Sequence, residues 1–155
     1  MVRRHKLLMA GLLGLAVCYP SIAHAKDDDF NAKHRTALNF NEAMNRCLAS
    51  GCKNLEEVMG FFAEDAVYLD EAGHSWSGVA AIRKQLARTT AAPGTSDRIE
   101  GLDVSGLMIT LRLERRRVLP GDKWAVTQVN PHVQVIVLKS GRIARLISVI
   151  PPDEK

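Results

Sequence analysis

Asp70 closes the run Ala66-Val67-Tyr68-Leu69-Asp70, and its type and position make it the first candidate for chemistry. Alternation along a strand puts Ala66, Tyr68 and Asp70 on one side, Val67 and Leu69 on the other. A carboxylate at a strand end, partly withdrawn from water, can serve as a general base, and a tyrosine hydroxyl beside it can donate into the same space. His74 follows the turn Asp70-Glu71-Ala72-Gly73 and can stand across from Asp70, where a carboxylate would orient the imidazole as an acid–base group. The plainer counterpart is a turn carboxylate bonded to its own backbone, with His74 on a surface hairpin. Further on, His132 and Gln134 share a strand face with Ile136, opposite Val133, Val135 and Val137. On a concave face they would donate to a carbonyl or an oxyanion; on the other they would meet water. Trp76 reads as a core or pocket-wall residue.

The elements that must position these groups follow from spacing. From about Asn31 to Ser50, Ala37, Phe40, Met44 and Cys47/Leu48 recur in steps of three and four. That is the apolar stripe of a first helix, with Asn39, Asn41, Glu42, Asn45 and Arg46 largely on other faces. Lys26 to Ala32, with its three aspartates, reads as a frayed lead-in. Asn54 is a good N-cap for a short second helix, and Glu57 stands at the capping-box position. Leu55, Val58, Met59 and Phe62 supply its apolar face before the period changes to two. After the Ala72-Gly73 turn, His74 and Trp76 share one face of a short strand, and Gly78 opens a third helix that packs Val79, Ile82 and Leu86 inward.

Thr89 to Asp97, with Pro93-Gly94, reads as a loop. Beyond it the pattern is β. Leu107, Ile109, Leu111 and Leu113 alternate with Met108, Thr110, Arg112 and Glu114, and Leu119-Pro120-Gly121-Asp122 turns the chain. A long strand spans Trp124 to Leu138, where Pro131 marks an edge or a bulge. Lys139-Ser140-Gly141 closes a hairpin onto Ile143–Ile150. Three helices followed by a curved, mostly antiparallel sheet make an α+β single domain.

Arg3, Arg4 and Lys6 precede an uncharged apolar run from Leu7 to Val17, and Ala23-His24-Ala25 offers small residues for cleavage. This is the pattern of a secretory signal peptide over residues 1–25, too short and wrongly flanked for a transmembrane anchor. Cleavage after Ala25 leaves the domain at 26–155, periplasmic or secreted, with no stable membrane anchor. Leu15-Ala16-Val17-Cys18 also resembles a lipobox, with bulky Val17 where a small residue is wanted, so a lipoprotein anchored at Cys18 is the lesser alternative. All 17 acidic residues lie after Ala25 and three of the 21 basic ones before it, so the domain holds 18 basic against 17 acidic residues, a net charge of +1. No global charge argument for nucleic acid survives, and Arg115-Arg116-Arg117 reads as a solvated strand end or hairpin without an aromatic platform.

Cys47 and Cys52 remain in the domain, and in an oxidising compartment an isolated nearby pair favours a disulfide. Gly51 can take the left-handed conformation that turns the chain back toward Cys47. The alternative is Cys47 buried on the helix stripe with Cys52 free. The spacing fits no metal site, and His34, His74 and His132 are too scattered for one. No serine-nucleophile elbow, phosphate loop or dinucleotide fingerprint is present, so no cofactor is implied.

Phe-Ala-Glu-Asp-Ala-Val at 62–67, the acidic strand end, Trp-Ser-Gly at 76–78, Ala-Ile-Arg at 81–83 and Gly-Arg-Ile at 141–143 resemble the cone-shaped α+β superfamily of nuclear transport factor 2. The closest likeness is to SnoaL-like polyketide cyclases and ketosteroid isomerases, and it covers essentially the whole domain. The resemblance places Asp70 where isomerase-like members carry their general base. It implies an oxyanion donor pair from a first-helix tyrosine and a strand acid. The first helix here has no tyrosine, and Gln134 falls at or near the strand position with His132 two residues before it. The superfamily's epoxide-hydrolase pattern needs an Asp–Arg–Asp set; Asp70 and Arg112 would supply two members. The expectation is a pocket for a small hydrophobic molecule, lined by Tyr68, Trp76, Gln134, Phe62 and Arg112, with Asp70, His74 and His132 as the acid–base candidates. Binding without catalysis leads. Cofactor-free proton transfer from Asp70 and a homodimerising assembly module are the alternatives.

Overall fold

The computed structural model describes residues 22–53, 55–88, 95–118 and 126–151. The expected signal segment up to residue 21, Asn54, the expected loop over 89–94, and the expected turn at Leu119-Pro120-Gly121-Asp122 with Trp124 lie outside them. The order is α1 (Ile22–Ala49), α2 (Glu56–Met59), β1 (Phe62–Leu69), β2 (Ser75–Ser77), α3 (Val79–Arg88), β3 (Thr95–Ser105), β4 (Met108–Val118), β5 (Val126–Lys139) and β6 (Arg142–Val149). The strands form one six-stranded sheet in the order β2-β1-β6-β5-β4-β3. Every pairing is antiparallel except β1 with β6, which is parallel. The helices pack on one face of this curved sheet, the α+β cone architecture expected from the residue pattern.

The first helix starts earlier than its apolar stripe does. Residues 26–32 are helical rather than a frayed lead-in. No glycine or proline interrupts Ile22–Ala49, and a Lys33–Asp29 pair one turn apart supports the added turns. Ala37, Phe40, Ala43, Met44, Cys47 and Leu48 are buried as a stripe. Phe40 meets the Phe61 and Phe62 rings edge-on, with centroids 5.7 and 5.8 Å apart. Each such buried ring contributes about 1.5–3 kcal/mol from apolar burial. In α2 the N-cap position is taken by Leu55 without a side-chain cap, and Glu57 reaches across to Arg46 instead of back along its own helix.

The end of α1 shows how a short sequence closes a helix. Gly51 has φ +67°, Cys52 N–H donates to the Cys47 carbonyl (2.6 Å) and Gly51 N–H to the Leu48 carbonyl (3.2 Å). This is the Schellman arrangement, and the Cys47–Cys52 disulfide joins the two residues that its outer hydrogen bond, from Cys52 N–H to the Cys47 carbonyl, already brings together. At the other end of the chain, Ser140 and Gly141 both take positive φ between Lys139 and Arg142, the paired residues that close the β5–β6 hairpin. Pro131 lies where β5 runs past the end of β6, so the missing N–H falls on a local edge.

Candidate functional site

Strand faces are settled by the packing of α1. On β5, His132, Gln134 and Ile136 point toward the helices and are buried, while Val133, Val135 and Val137 face outward. On β4, Leu111, Leu113 and Arg115 share that inner side, and on β6 Leu146 and Ser148 do. Between this inner face, the end of α1 and α3 lies a cleft of about 240 Å³. Met44 and Leu48 from α1, Leu86 from α3 and Leu146 from β6 give it an apolar wall. Tyr68, Asp70, Glu71, Gln85, Arg115, Gln134 and Ser148 bring polar groups to the same space.

Asp70 stands at the cleft and also organises its own turn. Its Oδ1 accepts Ala72 N–H at 3.0 Å and His74 N–H at 2.8 Å, and its Oδ2 lies 3.4 Å from His74 Nδ1. Both carboxylate oxygens are thus engaged by the Asp70–His74 turn, at the edge of the cleft. Its side chain is 18% exposed, against 70% for His74, so the imidazole sits on the hairpin surface rather than inside. Tyr68 stacks on Trp76 with ring centroids 5.6 Å apart, which fixes the tyrosine from outside the cleft. Burial pushes the Tyr68 hydroxyl above its usual range. A hydrogen bond with Ser148 opposes that, the negative charges of Asp70 and Glu71 reinforce it, and Arg115 opposes it. Tyr68 thus stays an O–H donor at any ordinary pH. Gln134 is 5% exposed and lines the cleft, yet its amide has no hydrogen-bond partner among the described residues.

Behind the cleft lies a group of residues that the sequence pattern hid. Asp97 on β3, its side chain 2% exposed, accepts Arg115 Nε at 2.9 Å and Nη2 at 3.1 Å. Asn45 clamps the Asp97 backbone, donating to its carbonyl at 2.9 Å and accepting its N–H at 2.7 Å; Asn41 donates to the same carbonyl at 3.3 Å. Burial alone would raise the Asp97 carboxyl, but contacts from His132 and Arg115 outweigh it and hold the group below the ordinary carboxylate range. Burial likewise disfavours the Arg115 charge, and Asp97 more than restores it. His132 Nε2 stands 3.5 Å from Asp97 Oδ2, too poorly aligned for a hydrogen bond, and Nδ1 has no partner among the described residues.

Of the residues singled out by type and spacing, Asp70, Tyr68 and Gln134 share the cleft. His132 lies behind it, Phe62 belongs to the core, Trp76 buttresses Tyr68, and His74 is outside. The cleft takes its arginine from Arg115; alternation turns Arg112 to the outer face, where it pairs with Asp103 and covers Gly101. Arg115-Arg116-Arg117 is not wholly a solvated strand end, because its first member faces inward onto Asp97. Asn41 and Asn45 flank the apolar stripe one turn apart, and that spacing was the available signal that they face the sheet. Asp97 had none: it sits in what composition marks as a loop, and β3 bulges at Glu100. Thr95, Asp97 and Ile99 face in before the bulge, Leu102 and Val104 after it, so no single period of two describes the strand.

A curved sheet wrapped on helices, with a cleft at the end of the first helix, defines an α+β cone. The chain matches the SnoaL-like domain over residues 40–146 and belongs to that family. A nuclear-transport-factor-2-like protein of unknown function from Mesorhizobium loti superposes with a TM-score of 0.59 at 16% identity, covering 79% of this chain and 93% of its own. A protein from Catenulispora acidiphila with a ketosteroid isomerase-like fold, solved in complex with trimethylamine, gives 0.55 at 18% identity over 70% and 82%. TerC, co-crystallised with polyporic acid, gives 0.61 at 13% identity over 77% and 92%. These likenesses speak for the fold. A comparison with curated proteins found no match.

Proposed function

We propose that this protein binds a small, largely apolar molecule in the cleft between α1, α3 and the inner sheet face. The observation that carries the reading is Gln134: a largely buried residue whose amide has no partner among the described residues and opens to a cleft whose opposite wall is apolar. An amide that no described residue bonds is free to pair with the polar end of a ligand seated in the cleft. The cleft volume is below that of drug-sized sites, which suits a ligand of few heavy atoms. The trimethylamine in the Catenulispora protein's complex agrees with that scale. The test is amide-resolved NMR with a panel of small cyclic alcohols, ketones and amines. Shifts confined to Gln134, Tyr68 and Leu86 would support the reading; uniform silence across the panel would end it.

A second reading is cofactor-free proton transfer. The Asp70 carboxylate, the Tyr68 hydroxyl and the Gln134 amide around one cleft are a base and two donors, the set that enolising a carbonyl requires. Tyr68 and Gln134 would take the donor roles that the tyrosine-free first helix leaves open. Deuterium exchange at the α-carbon of a ketone panel, lost in Asp70→Asn, is the measurement. Export through the 1–25 signal belongs to the same proposal, checked by N-terminal sequencing of the periplasmic fraction. So does a homodimer through the outer sheet face, where Met108 and Val149 are exposed beside half-buried Val135, Val137 and Ile147. Val135→Glu would leave a monomer in sedimentation equilibrium if that face pairs.

A further inference from the structure

The charged groups at the sheet end of the cleft do not cancel. Arg115 spends its charge on Asp97, which engages both Nε and Nη2 through its two carboxylate oxygens. Asp70 and Glu71 remain, both on the cleft lining. Glu71 Oε1 makes only a loose ion pair with Arg115 Nη1, at 3.7 Å, and its side chain is one-third exposed. Counting the four groups, three carboxylates face one guanidinium, a formal charge of −2. The field at the Tyr68 hydroxyl agrees, with Asp70 and Glu71 acting together there against Arg115. A low-dielectric wall from Met44, Leu48, Leu86 and Leu146 strengthens whatever field reaches the cleft. The Gln134 carbonyl oxygen adds an acceptor that no other described residue uses.

We propose that the cleft selects by charge and takes a basic amphiphile, a small molecule with an apolar body and one protonated nitrogen. The nitrogen donates to Glu71 and to the Gln134 carbonyl oxygen, and the body lies on the Met44–Leu48–Leu86–Leu146 wall. A carboxylate of the same shape is refused, because Arg115 is already neutralised and two acids face the newcomer. This rests on the reading that the cleft is a binding site, and it names the ligand's chemical class.

The experiment compares three ligands of one shape, cyclohexylmethylamine, cyclohexylmethanol and cyclohexanecarboxylate, titrated into the whole protein at neutral pH and followed by calorimetry and by the Gln134 side-chain resonance. The amine is expected to bind about tenfold tighter than the alcohol, with the carboxylate weakest. The preference should shrink several-fold in Glu71→Gln and in about 0.3 M salt, where exposed charges are screened. Glu64→Gln, a charge change outside the cleft, should leave it as it is. Equal binding of amine and alcohol overturns the charge selection and leaves the cleft reading intact. Tightest binding of the carboxylate overturns it in favour of Arg115 as an anion anchor. Silence from all three at Gln134, Tyr68 and Leu86 removes both the selection and the site.

Discussion

Strands β3 and β4 carry ion pairs on both faces, and the two sets are built from the same residue types. On the outer face Arg98 pairs with Glu100 and Glu114, Arg116 with Glu114, and Arg112 with Asp103. On the inner face Arg115 pairs with Asp97, its backbone clamped by Asn45 and Asn41 and its carboxylate approached by His132. The outer carboxylates keep contact with water, from 22% exposed at Glu114 to 72% at Asp103, so each pair exchanges solvation for contact at little net gain. Inside, the Asp97 carboxylate is withdrawn from water, so losing its partner would strand a charge. What separates the sets is the surroundings, and that is why one Arg–Asp pair shapes the cleft while several others only solubilise the sheet.

That contrast can be broken by mutation. The largest effect is expected from Arg115→Met, which leaves Asp97 buried and unpaired and should cost about 3 kcal/mol in urea unfolding. Asp97→Asn comes next and carries a pH signature. The folded-state value of Asp97 is depressed below its ordinary 3.8, so its stabilisation is present above that pH and is lost as pH falls through the folded value. The wild type should therefore weaken steeply on acidification below about pH 4, and the asparagine variant should show a flatter acid limb. Asn45→Ala removes two hydrogen bonds to the Asp97 backbone and should cost about 1–2 kcal/mol, read as a lower melting temperature. Smallest is the outer double change Glu114→Gln with Arg116→Gln, which should leave the melting temperature unmoved at physiological salt. If the outer change matched the inner ones, burial would not be the deciding variable.

Much of the molecule was legible without coordinates, because it is written in local periods. The α1 stripe through Phe40 and Leu48, the opposed faces of Val67 and Tyr68 and the left-handed Gly51 before Cys52 each depend on residues within one or two turns of one another. A helix repeats at 3.6 and a strand at 2.0, so a run of ten residues declares its own geometry. The residues around Asp70 belong to this class: hairpin spacing brings the Asp70 carboxylate to the Ala72 and His74 amides without help from the rest of the chain.

Other features needed the assembled fold. Two identical alternations, Arg112/Glu114 and Leu113/Arg115, became outer and inner only when α1 settled against one side of β4. The same packing put His132 and Gln134 beneath the helices, a choice their own strand could not make. Asp97 lay further from view, since the bulge at Glu100 resets the phase of β3 and its partners Asn41, Asn45, Arg115 and His132 come from three other elements. By itself, then, the sequence determined the helices, the strand alternation and a turn built around Asp70, all short-range consequences of backbone geometry. Tertiary packing alone decided which face is concave and which arginine meets a buried acid, because those depend on residues tens of positions apart meeting across a low-dielectric interior.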